Sequence, residues 1–318
     1  MEGLFMRILV YGAGVLGSYL AHVLVRGGNN VTMLARGSRL DELQKNGNVI
    51  RHYFQFRSTV DQVNVISELQ PKDIYDLIFV VMKYPDFQSV LPALAANHSS
   101  HILLVGNNAS PLEMRDYLLA SSPLKKHVAF GFQVSAGWRE TGRMFCVRGP
   151  QVQMTLGGLG EDLRWRTVID QAFVNTKYKL VYQQNMDEWL KSHFMMVLPL
   201  NFIAPAYNGD LRKAAKDNKL LHQVIAAVDE GNQVLEKLGY TVTPASQIKL
   251  ARKQRKMFYL LLKFMLSTPV GKILLGDKAV SADEISALYQ AFNDLKSSAN
   301  ITTPNWDILG NYSPSSQR

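Results

Sequence analysis

The stretch Arg7-Ile-Leu-Val-Tyr-Gly12-Ala-Gly14-Val-Leu-Gly17-Ser18 decides the fold. Ile8 to Tyr11 are apolar, β-branched or aromatic, which predicts a buried parallel strand. Gly12, Gly14 and Gly17 follow at G-x-G-x-x-G spacing, and Ser18-Tyr-Leu-Ala-His-Val-Leu-Val25 reads as a helix. A strand, a tight glycine turn and a helix in that order is the setting the dinucleotide-binding fingerprint needs. Gly12 permits the sharp turn, Gly14 lets the backbone approach a pyrophosphate, and Gly17 lets helix and strand pack closely. Phosphates would sit on free N–H groups of the turn, those of Val15 and Leu16 included, at the positive end of the helix.

Outward from this unit, strands and helices alternate. Residues 30–35, 75–82, 101–105 and 128–134 read as strands, with helices at 39–45, 85–95 and 111–119. Residues 48–65 predict an antiparallel excursion, and 140–147 and 151–157 further strands closing the domain. Such alternation implies an α/β fold, a doubly wound parallel Rossmann sheet with right-handed crossovers. From Asn185 the pattern turns helical, at 186–197, 211–238, 246–263 and 282–298. The expected division is 1–180, an NADP-binding Rossmann domain, and 181–318, an all-helical substrate and dimerisation domain with a cleft between them. The boundary falls near 175–185.

With 318 residues the chain is too long for one ordinary core. Its hydrophobic fraction of 47% is that of a globular protein. The single cysteine, Cys146, excludes an internal disulfide and a multi-cysteine metal site, so no metal is expected. It fits a reducing cytoplasm. No apolar run reaches the ~20 residues that would cross a bilayer. The net charge of +9 suits nucleic acid or an anionic cofactor and substrate. The densest basic cluster is Lys249, Arg252, Lys253, Arg255 and Lys256, four of which would share a helix face. No nucleic-acid motif accompanies it, so it reads as a solvated face.

Three positions line the expected cofactor edge. An NAD-preferring domain tends to carry Asp or Glu at the end of the second strand, about 20 residues past the glycines. Arg36 stands there instead, with Arg39 one turn on, and guanidinium groups pair well with the 2′-phosphate of NADP. Lys83 follows the strand 77–82 and Asn107 the strand 101–105, where ligands bind beyond the carboxyl ends of parallel strands. In the helical half, Lys191 lies among apolar residues one turn from Asp187. Partial desolvation lets a lysine serve as a general acid or hold a substrate oxyanion. His193 reads as structural.

These residues, in this order and spacing, make the chain resemble the ketopantoate reductase (2-dehydropantoate 2-reductase) family. The likeness rests on Gly12-Ala-Gly14-Val-Leu-Gly17, Arg36, Lys83 in Val-Val-Met-Lys, Asn107 in Leu-Val-Gly-Asn, and Trp189-x-Lys191. Asn208-Gly-Asp-Leu211 and Glu284-Ile285 ahead of Ile301-Thr-Thr-Pro304 extend it over nearly the full length. It implies an oxidoreductase of pantothenate biosynthesis with NADP(H) as cofactor. Arg36 would bind the 2′-phosphate, while Lys83 and Asn107 would line the nicotinamide side. Lys191 would protonate the ketone oxygen as hydride arrives, with Glu284 near the substrate or the lysine.

The chain departs from the family in the residues that grip substrate. Asparagines usually stand four and eight positions beyond the lysine, on its face of the helix; here they are Met195 and Pro199. The Ser-Met-x-Gln-Asp stretch is replaced by residues 267–280. The expected function is therefore NADPH-dependent reduction of a small-molecule 2-oxo acid or related ketone, ketopantoate or a more apolar one. A homodimer is possible, and neither nucleic acid nor membrane is an expected partner. The alternatives are a non-catalytic NADP(H) sensor, favoured by the missing asparagines, and a reductase of imino acids or opines.

Overall fold

The computed structural model describes residues 5–276 and 281–313; residues 277–280, within the divergent 267–280 stretch, and the polar tail from 314 lie outside them. The chain forms two compact units, Met1–Met186 and Asp187–Arg318.

In the first unit the elements run β1 (Arg7–Tyr11), α1 (Val15–Arg26), β2 (Asn30–Leu34), α2 (Ser38–Asn46), β3 (Asn48–His52), β4 (Arg57–Asp61), β5 (Asn64–Ile66), β6 (Leu77–Val81), α3 (Phe87–Ala96), β7 (His101–Val105), α4 (Pro111–Ser121), β8 (His127–Gln133), β9 (Ala136–Glu140), β10 (Arg143–Val147), β11 (Gln153–Gly157), α5 (Arg166–Phe173) and β12 (Lys179–Gln183). The main sheet has the order β12-β11-β8-β7-β6-β1-β2-β5. Six neighbouring strands, β5 to β8 in that order, pair in parallel, and only β11 against β8 is antiparallel. All five residues of β6 are buried, as in a central strand covered on both faces. One face gathers Ile8, Val10, Val31, Met33, Leu77, Phe79, Leu103 and Val105 with Leu20 and Leu24 of α1 and Ile169 and Phe173 of α5. The period-2 alternation along each strand places these side chains together.

Two expectations change. The strand expected at 140–147 does not close the main sheet; β9 and β10 join β3 and β4 in a separate four-stranded sheet, order β4-β3-β10-β9. The unit also runs past 180, because β12 extends the main sheet by parallel pairing with β11.

In the second unit the helices are α6 (Met186–Asn201), α7 (Ile203–Ala206), α8 (Leu211–Ala214), α9 (Asn218–Lys237), α10 (Ser246–Ile248), α11 (Arg255–Ser267), α12 (Pro269–Leu275), α13 (Ala282–Ala299) and α14 (Pro304–Gly310). The single helix expected over 211–238 is two. Asp217 accepts from the Leu220 N–H at 3.0 Å and so caps a new helix start. Within α9, Gly231 allows close packing, since a Cβ there would lie 3.0 Å from Met195 Sδ and 3.2 Å from Trp306. The helix expected over 246–263 passes through a π turn at Lys249–Lys253 and breaks at Gln254. The basic cluster is therefore not one continuous helical face, and its Arg252 is held by Asp229 and Glu236.

Candidate active site

The glycine turn is built as its spacing requires. Gly12 has φ +118°, and a Cβ there would lie 2.2 Å from the Val81 carbonyl oxygen. A Cβ at Gly17 would lie 1.9 Å from the Gly12 oxygen. Both positions exclude a side chain for internal reasons. Gly14 differs: a Cβ there would meet nothing within 4 Å, and its φ of −73° is open to any residue. The space beside Gly14 is room for a ligand rather than for the protein's own backbone. Gly14 begins α1 with no capping side chain, so first-turn N–H groups are available to an anion. On these grounds the turn fits the pyrophosphate of a dinucleotide.

Side chains brace this turn from behind. Arg39 is 6% exposed and donates from Nε to the Ala13 carbonyl at 3.1 Å and from Nη2 to Ser18 Oγ at 3.0 Å. Asn48 donates to the Ser18 carbonyl at 2.8 Å. Arg39, read from sequence as a second phosphate-facing guanidinium, is thus a buried strut. Its partners, the Ala13 carbonyl and the Ser18 hydroxyl, lie 26 and 21 residues away in sequence, which no local pattern announces.

Arg36 remains at the end of β2, exposed, with Nη2 3.2 Å from the Tyr11 hydroxyl. Burial raises the Tyr11 pKa, and Arg36 opposes that rise. Glu68, just past β5, also acts on this phenol, and it places a carboxylate in the neighbourhood that the sequence reading left out.

Lys83 and Asn107 share the same sheet edge as the glycine turn. Parallel pairing sets Tyr11 beside Val80 and Val81 beside Val105, so β1, β6 and β7 end together. Gly106 lets the chain leaving β7 pass close to the chain leaving β6; a Cβ there would lie 2.3 Å from the Met82 carbonyl oxygen. Asn108 fixes the following loop by accepting from the Ser110 N–H at 2.9 Å. Thus the first unit brings Gly12, Gly14, Val15, Leu16, Gly17, Arg36, Lys83 and Asn107 to the carboxyl ends of its parallel strands, beside β1, where the strand order reverses.

The second unit holds Lys191 and Glu284. Lys191, on α6, is 4% exposed, is ion-paired with Asp187 one turn earlier, and has its Nζ 4.9 Å from the Tyr240 ring centroid. An ammonium so buried requires such compensation. The neighbouring Ser192 anchors the helix, accepting from the Thr243 N–H at 3.0 Å while its carbonyl accepts from Gln247 at 2.8 Å. Glu284 lies buried in the first turn of α13. His193 stacks on Trp189 with centroids 5.0 Å apart, and burial pushes its pKa down to about 4. Met195 is fully buried against Gly231, so that position faces the interior of the helical unit. Tyr240 follows α9 and lies 49 residues from Lys191 in the chain; the fold, not the local sequence, sets its ring over the ammonium. Among the described residues no group of three or more His, Cys, Asp or Glu side chains could hold a metal ion, and no helix is long and apolar enough to cross a membrane.

Fold and site together define an α/β unit with a dinucleotide-type glycine turn, followed by a helical unit. The model of the family Ketopantoate reductase PanE/ApbA matches residues 8–159, within the first unit, and the chain resembles that family there. A 2-dehydropantoate 2-reductase of Archaeoglobus fulgidus is 25% identical over 253 residues, 76% of this chain and 78% of that one. Among solved structures, D-mandelate dehydrogenase with NADH and anilino(oxo)acetate superposes with a TM-score of 0.76 at 14% identity, covering 98% of both chains. The 2-dehydropantoate 2-reductase of Methylococcus capsulatus gives 0.71 at 15% identity, covering 98% of this chain and 96% of that one. These matches indicate an oxidoreductase acting on a 2-oxo acid.

Proposed function

We propose that the protein is an NADPH-dependent reductase of a 2-oxo acid or related ketone in which Lys191 is the general acid. The observation that carries this reading is the buried Lys191 ammonium, held by Asp187 and the Tyr240 ring at the start of the helical unit. Reduction of a ketone develops an alkoxide, and an adjacent ammonium both stabilises and protonates that oxygen. When bound, the reduced nicotinamide supplies the hydride. The α1 N-terminus beside Gly14 would hold its pyrophosphate, and Arg36 the 2′-phosphate. Lys83 and Asn107 would orient the nicotinamide and substrate, and Glu284 would position the lysine or substrate. The amides that the family usually carries at 195 and 199 are replaced by Met and Pro, and the loss of those polar groups favours a substrate less hydroxylated than ketopantoate. The exposed Met257, Leu260, Leu261 and Phe264, at helical spacing on α11, support self-association through the helical unit.

The buried packing of Met195 against Gly231 favours a second reading, a protein that binds NADP(H) without turning it over. A panel of aliphatic and aromatic 2-oxo acids separates the two. Consumption of NADPH with at least one, and the matching 2-hydroxy acid as product, is the expected result. Tight NADPH binding with no turnover on any acid would replace the reductase by the sensor.

A further inference from the structure

A cavity of about 600 Å³ opens in the first unit beside the C-terminal half of α1. It is lined by Tyr19, His22 and Arg26 of α1, by Gln55 and Arg57 of the β3–β4 hairpin, by Arg148 after β10, and by Lys177 and Tyr178 ahead of β12. Those α1 residues recur at helical spacing along its last two turns. The α1 lining runs from Tyr19 to Arg26, roughly 8 to 18 Å along the helix from Gly14 at the standard rise per residue, and no residue of the glycine turn lines the cavity. The cavity is thus separate from the glycine turn.

Its lining contains no Asp or Glu. The nearest carboxylate, Asp61, is spent: it accepts from Arg26 Nε at 2.6 Å, and its other oxygen lies 2.6 Å from His22 Nδ1. Arg57, Arg148 and Lys177 form no ion pair among the described residues. Arg148 is fixed by two bonds from Nη1 to the Gly149 and Pro150 carbonyls and by its stack over Tyr19, at 5.3 Å to the ring centroid. Yet its Nε is buried with no hydrogen-bond partner, and so is Oε1 of Gln55. A protein seldom leaves buried polar atoms unsatisfied. Here a donor and an acceptor are both left on the wall of a cavity whose three unpaired cations have no counter-charge.

We infer that this cavity is a binding site for a small, multiply charged oxyanion that also carries a hydroxyl, a phosphorylated or polycarboxylic metabolite. Its volume lies within the range of small-molecule sites and exceeds that of a lone phosphate. The oxyanion would lie among Arg57, Arg148 and Lys177, where Arg148 Nε is a preset donor, and the hydroxyl would reach Gln55. Burial pushes the Tyr19 phenol up to about 12, so it stays a neutral donor on the same wall.

The test is calorimetric titration of the full-length protein, saturated with NADPH, using inorganic pyrophosphate and, separately, citrate at low salt. One anion per chain is expected. Arg57→Gln/Lys177→Gln, which alters only exposed side chains, should weaken it at least about tenfold, an equivalent of about 1.4 kcal/mol. Tighter binding of pyrophosphate assigns the site to phosphorylated ligands, and tighter binding of citrate to polycarboxylates. No binding of either, or binding unchanged in the double variant, overturns the inference. If the protein takes up no NADPH, the double variant still reports on this cavity alone, so failure of the reductase reading is told apart from failure of this one.

Discussion

The glycine turn of the first unit and the Lys191 helix of the second are specified by different means. In the turn, backbone atoms carry the geometry: Gly12 and Gly17 are forced by carbonyl oxygens of the protein itself, and Gly14 by nothing in the protein. Around Lys191, side chains carry it, through Asp187, Tyr240 and the Ser192 anchor. A backbone device tolerates almost no change in residue type, and so it is written as a motif. A side-chain device can exchange its partners, and so its chemistry persists while its surroundings diverge, as Met195 and Pro199 do here.

The contrast can be broken in several places. The largest effect is expected for Lys191→Ala, which should cut turnover by about two to four powers of ten while leaving NADPH binding intact. Undiminished turnover in steady-state assays would remove the lysine from the chemistry. The two glycines should separate next. Gly17→Ala drives a methyl into a carbonyl oxygen, at a typical overpacking cost of about 1–3 kcal/mol, and should lower both Tm and NADPH affinity. Gly14→Ala should leave Tm unchanged in a thermal melt yet weaken NADPH by about tenfold or more, the equivalent of 1.4 kcal/mol per decade. If both variants melted alike and bound alike, the space beside Gly14 would not be the pyrophosphate berth.

A smaller effect is expected at Arg36. Hydrogen bonds to charged groups contribute about 1.5–3 kcal/mol. Arg36→Gln should therefore weaken NADPH roughly tenfold or more and leave NADH nearly unchanged in parallel fluorescence titrations. Equal losses for the two cofactors would argue that Glu68, not Arg36, governs the choice between them.

The smallest effect is pH-dependent and touches both units. His52 and His193 are each held near 4, His52 by burial and then by the charges of His22, Arg148 and Arg57, His193 by burial. The ordinary histidine value is about 6.5. Between these values the unfolded chain binds protons that the folded chain does not, so stability falls as pH drops from about 6.5 towards 4 and is fully present above that window. Urea midpoints across this range should show the slope, and His52→Gln should flatten part of it.

The local sequence determined the strand–turn–helix, the parallel order of the first five strands that follow from strand–helix alternation, and the helical character of the second half. Periodicity and glycine spacing act between residues close in the chain, so they survive without tertiary information. Only the tertiary structure decided that β9 and β10 leave the main sheet for one of their own, that β12 extends the first unit, and that Arg39 is a strut where Arg36 is free to face solvent. It alone set Tyr240 over Lys191 and gathered Arg57, Arg148 and Lys177 around one cavity. Each of these depends on which distant strands pair and which charges burial forces to find partners, and those contacts join residues tens of positions apart that no local pattern couples.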